Sequence, residues 1–179
     1  MQRAALQETG LLNDEWHPQF ALALSEAKRI KEQYEAAGYS VSVTGHGAGG
    51  SIAQLASYTL DLPGNAFDPL GAKNLTQSRG YAQWCRENGI DPQERAENSL
   101  ILRGHGKQRP DDRPFTNYEL NASKASDLSG EHLGPRVSIS NAVVRETLKE
   151  KFEYAKHLTS GVLGAWSDGA GVHLLIFWL

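Results

Sequence analysis

The run Ser40-Val41-Ser42-Val43-Thr44-Gly45-His46-Gly47-Ala48-Gly49-Gly50 holds most of the chemical content of this sequence. It reads as a short β-prone segment, a glycine-packed turn and the start of a helix. G-x-S-x-G motifs use this shape, a nucleophile elbow, to lift a serine hydroxyl off a sharp turn toward a histidine and a carbonyl carbon. Gly45 and Gly49 supply the outer glycines, but the middle position is Gly47, which has no side chain. Acyl transfer through a covalent ester needs a hydroxyl there, so the sequence predicts the shape of a nucleophilic site without the nucleophile. The backbone N–H of Ala48, the residue after that position, is expected as one donor to an oxyanion.

The same letters also spell G-x-G-x-x-G, as Gly45, Gly47 and Gly50. A Rossmann-like dinucleotide-binding domain would use them to bring backbone against a pyrophosphate at a helix N-terminus. Asp68 lies about 20 residues on, where a ribose ligand is expected. Its place in a Phe67-Asp68-Pro69 turn and the amphipathic helix ahead of the strand argue against this alternative. His105, Asp111 and Asp112 share one loop but lack metal-ligand spacing, so neither a metal nor a cofactor is expected. Arg103, Lys107, Arg109 and Arg113 make that loop basic, and the two aspartates offset them. A solvated loop is the better reading than a phosphate or nucleic-acid site.

The resemblance that these residues carry is to class 3 lipases and related lipase-like α/β-hydrolases. Val43-Thr44-Gly45-His46-Gly47-Ala48-Gly49-Gly50, followed by Ile52-Ala53-Gln54-Leu55-Ala56, is similar to the family's V-T-G-H-S-L-G-G and A-Q-L-A segments. Residues 62–71 resemble its next strand and turn. Residues 117–121 and 126–134 resemble the segment that carries the acid of the triad. The similarity covers roughly residues 15–140, and it implies ester hydrolysis of a lipid or other acyl substrate. Glycine at position 47 is the departure: it leaves the fold implied and predicts a catalytically inactive chain. A non-catalytic binding module on the same fold is the second reading.

The family's chain order is nucleophile, acid, histidine. Asp127 follows a β-prone segment in a Ser/Gly-rich turn and is the candidate acid, set against a solvated turn aspartate that caps local backbone. Six histidines are present, at 17, 46, 105, 132, 157 and 173. By the resemblance, His46 faces inward and supports the turn. His132, within Gly130-Glu131-His132-Leu133-Gly134, has a structural reading. His157 is the candidate triad histidine, favoured over His173 by chain order; its competing reading is an exposed helix-end histidine.

These residues need a scaffold. Phe20, Leu24, Ala27, Ile30 and Tyr34 recur at helical spacing, with Pro18 and Gly38 at the ends, so residues 18–37 are expected as a helix. Ile52, Leu55, Ala56 and Thr59 mark the inner side of the helix after the turn. Strands are expected at 65–67, 99–102, 115–120, 136–140 and 172–179, and helices at 76–88 and 142–158. Strands alternating with helices predict an α/β fold, with a mostly parallel sheet flanked by helices.

The 179 residues suit one domain, 1–179. Few residues precede the first strand, so the domain is expected to be partial, without the early strands that carry a second oxyanion donor. The net charge of -3 makes no case for nucleic acid or an anionic membrane. One cysteine, Cys85, excludes an internal disulfide. The first ten residues lack the apolar core of a signal peptide, and the apolar run at 172–179 is too short to span a bilayer, so no transmembrane segment is expected. Localisation and oligomeric state stay open.

Overall fold

A computed structural model describes residues 16–104, 113–120, 130–139, 163–167 and 171–176. Helix α1 spans Pro18–Ala36, strand β1 Ser40–His46 and helix α2 Ala48–Leu60. Strand β2 follows at Gly64–Phe67, then helices α3 at Arg79–Glu87 and α4 at Pro92–Asn98. Strands β3 (Phe115–Leu120), β4 (Arg136–Ile139), β5 (Leu163–Ser167) and β6 (Gly171–Ile176) complete the described elements. The helix expected at 142–158 lies outside them.

Among the described residues the sheet has six strands, in the order β4-β3-β2-β1-β6-β5. β1 through β4 run parallel, and β6 runs parallel to β1 on its other side. Only β5, at the edge, is antiparallel. This is the mostly parallel, helix-flanked sheet of an α/β-hydrolase-like fold. The flank of β1 away from β2 is taken by β6.

α2 is the centre of the packing. All thirteen of its residues are buried, polar ones included. It lies against β1 and β2 on one side and α1 on another. α1 turns Phe20, Ala23, Leu24, Ala27 and Ile30 inward, as its periodicity predicts. Its outer face carries the ion pairs Lys28–Glu32 and Lys31–Glu35, which as exposed i,i+4 pairs add little. His17 accepts from the Gln19 N–H at 3.3 Å and caps the helix start, beside Pro18.

The region from 99 to 104 differs from expectation. In place of a strand it holds a short 3-10 turn, Leu100–Gly104. An apolar run this short does not distinguish strand from turn by periodicity. Local bonds decide it: the Leu100 N–H donates to the Asp61 carboxylate at 2.7 Å, and the Leu102 N–H to the Ser99 carbonyl at 3.0 Å. Those amides are then no longer available to a sheet ladder. Ile101 is still buried, so the apolar content is used without a strand.

β1 and α2 approach each other closely. A Cβ on Gly45 would lie 2.2 Å from the Gly49 carbonyl oxygen, inside any real contact. A Cβ on Gly50 would lie 2.9 Å from that of Pro69. Backbone therefore rests on backbone, and the helix cannot sit this low over any larger residue. We expect Gly45→Ala to lower stability by roughly 2–3 kcal/mol, because neither backbone can give way cheaply. Urea unfolding should show a lower midpoint with an unchanged slope; an unchanged midpoint would mean that α2 does not rest on β1.

Candidate active site

The chain leaves β1 at His46, turns at Gly47 and enters α2 at Ala48. Gly47 has φ 57° and ψ -126°, a backbone conformation costly for any residue with a Cβ. Its N–H donates to the Phe67 carbonyl at 3.0 Å, tying the turn to the end of β2. A Cβ at this position would have no heavy atom within 4 Å. The apex thus faces open space, at the carboxyl edge of a parallel sheet. Ligands of open α/β sheets bind at this edge. The Ala48 N–H, at the first position of α2, has no partner within the helix.

The neighbours at this edge are His46, Asp68, Phe67 and Tyr118. His46 is exposed, a departure from its expected inward role. Even so, protein packed against part of the ring desolvates it and lowers its pKa from the usual histidine value, while the negative charge of Asp68 works against that shift. The side chains of Phe67 and Tyr118 stack, with centroids 5.5 Å apart. They stand at paired positions of β2 and β3 and are half-buried. Asp68 takes a positive φ of 43° and donates its N–H to the Tyr118 carbonyl at 2.7 Å.

Ser51 is the first hydroxyl after the apex in sequence and is fully committed. It is buried, and its Oγ donates to the Leu70 carbonyl at 2.8 Å. The Leu70 oxygen also accepts from Gln54 Nε2 at 3.0 Å. One carbonyl therefore pins the turn after β2 to two positions of α2 one helical turn apart.

Of the expected triad the structure describes only the Gly47 position, and with it the expected oxyanion donor Ala48. Asp127 and His157 lie outside the described residues, as do His105, Asp111 and Asp112. Two other histidines have places of their own. β6 pairs with β1 so that His173 is opposite Ser42. It therefore stands four positions behind His46, roughly 13 Å from the apex edge at strand rise. His132 is buried in a polar network, between Gln54 of α2 at 3.1 Å and Glu119 of β3 at 3.2 Å. Arg136 of β4 closes the network with a two-pronged bond to Glu119.

Sequence reasoning missed that network. Its members lie in segments already singled out, but nothing in the spacing of Gln54, Glu119, His132 and Arg136 says that they meet. Among the described residues no group of three or more His, Cys, Asp or Glu could hold a metal. Gly45 and Gly50 each face protein atoms, which accounts for both without a bound nucleotide.

A fluorophosphonate, which reacts with activated serines, should leave Ser51 unmodified by peptide mass spectrometry. Ser51→Ala should cost about 1–2 kcal/mol through the lost buried bond to Leu70. An adduct at Ser51 would show that α2 opens far more readily than this packing allows.

No curated protein and no solved structure matches the chain. No described helix is long and apolar enough to cross a membrane. The family model that does match covers the chain from just ahead of α1, through β1, the apex and α2, to the turn after β2. Residues 14–69 of this chain, the segment that builds the apex, match the model of the lipase (class 3) family.

Proposed function

We propose that the chain is a lipase-family domain shaped for acyl esters, in which Gly47 holds the nucleophile position and hydrolysis is lost. One observation carries this reading: Gly47 stands at the strand-to-helix apex with a positive φ and open space where a side chain would project. A serine there would put its hydroxyl over the sheet edge, next to the helix N-terminus. The half-buried Phe67–Tyr118 stack beside it suits an apolar acyl chain.

In the active form of such a site the serine oxygen attacks the ester carbonyl and a histidine takes its proton. An aspartate holds that histidine in the right tautomer, and backbone N–H groups receive the oxyanion. Ala48 N–H fills the last role here, with Asp127 and His157 as the acid and the base. Without the hydroxyl no acyl-enzyme forms. Retention of an acyl ligand without turnover, a binding function, is what the remaining parts support.

The unmodified chain should not hydrolyse short p-nitrophenyl esters above background. Gly47→Ser should gain fluorophosphonate labelling at position 47. The rate that it regains depends on a second oxyanion donor, whose lack costs roughly 10²–10³ in kcat. Esterase activity of the unmodified chain, abolished by His157→Ala, would overturn the loss of hydrolysis. A position-47 variant that folds but stays unlabelled would overturn the site.

A further inference from the structure

The buried Gln54–His132–Glu119 network has no part in the proposed chemistry, and its hydrogens can be placed. The Leu133 N–H donates to Gln54 Oε1 at 2.9 Å, which fixes the amide's orientation. Gln54 Nε2 then has two hydrogens to give. One goes to the Leu70 carbonyl at 3.0 Å and the other to His132 Nδ1 at 3.1 Å. A ring nitrogen that faces a donor must accept, so Nδ1 is bare. Nε2 carries the proton and faces Glu119 Oε1 at 3.2 Å.

We propose that Gln54, His132 and Glu119 form a proton-sensitive latch, in which the neutral Nε2–H form of His132 fastens residues 131–134 to α2 and protonation at Nδ1 releases them. The added proton would set N–H against N–H at the Gln54 contact. Turning the Gln54 amide over would offer Oε1 to the new proton. It would also set the amide N–H groups against the Leu133 N–H and remove the donor to Leu70. No orientation of the amide satisfies all three partners at once, so the contact must open.

Among the described residues, the charged groups facing the ring are Glu119 on β3 and Arg136 on β4, with the Lys73–Glu131 pair next to it in the chain. The His132 side chain is 3% exposed and that of Glu119 11%. Desolvation is the largest influence on the ring and lowers its pKa; the Glu119 charge raises it and Arg136 lowers it further. The folded-state value thus lies below the unfolded one. The stabilisation is whole above the usual histidine value near 6.5 and is lost as pH falls through the depressed one. What is released is the stretch that follows Asp127 in the sequence and meets Lys73 through its backbone: the Lys73 N–H donates to the Glu131 carbonyl at 3.0 Å.

The test is long-range proton–nitrogen NMR of the full chain with ¹⁵N-labelled histidine, His132 being assigned by comparison with His132→Asn. At pH 7.5 the ring should be the Nε2–H tautomer, and its midpoint should fall below 6.5. Amide exchange of Leu133, corrected for its intrinsic pH dependence, should accelerate at least about tenfold through the same midpoint. Gln54→Glu puts an acceptor against Nδ1 and should raise the midpoint by about one unit or more. An Nδ1–H tautomer at pH 7.5, or Leu133 exchange that ignores the His132 titration, would overturn the latch. So would a folded Gln54→Glu protein with an unmoved midpoint. If Gln54→Glu does not fold, the tautomer and the Leu133 exchange of the unmodified chain decide alone.

Discussion

Strand β1 and helix α2 meet backbone to backbone at Gly45 and Gly49, and the apex exists because of that contact. A helix seated this low must begin abruptly at the strand end. The chain can make that corner only through a conformation like that of Gly47. The contact also brings the first N–H groups of α2 to the carboxyl edge of the sheet, where their dipoles act on whatever lies above. None of this needs a side chain at position 47. Shape and reactivity are therefore separable here: the corner is held by its glycine neighbours, and position 47 brings no hydroxyl to it.

Around this seat the polar groups of α2 act as fasteners. A helix buried on every side has no solvent-facing stripe on which to place Ser51 and Gln54, so each must find a partner inside. Ser51 and Gln54 share the Leu70 carbonyl, and Gln54 reaches on to Leu133 and His132. The turn after β2 and the stretch before β4 are held to one helix by a few bonds of this kind. Partly satisfied networks are costly in such surroundings, so the loss of one partner is felt by all.

Much of this was legible in the sequence where the signal is local. The stripe from Phe20 to Ile30, the β-prone run before Gly45 and the glycine spacing at the apex each report a short-range geometric need. The segment at 99–102 misled because its apolar run serves burial alone, while Asp61, from far earlier in the chain, takes the amide that decides its shape. Helix α4 was missed because none of its residues is buried, which leaves it without an apolar stripe to read. The His132 network was invisible for a related reason: hydrogen-bond partners drawn from three elements leave no periodic trace. His173 could be set aside only once the β1–β6 register was known.

That register has a kinetic consequence. β1 pairs with β2 soon after it in the sequence, but its other edge is completed by β6, from the opposite end of the described chain. Closing so large a loop costs chain entropy before any bond rewards it, so this pairing belongs to the late events of folding. Until it forms, the strand that leads to the apex has an open edge, able to pair with the same edge of a second molecule. Growth temperature and synthesis rate should therefore govern the yield of soluble chain more strongly than the stability of the finished fold does.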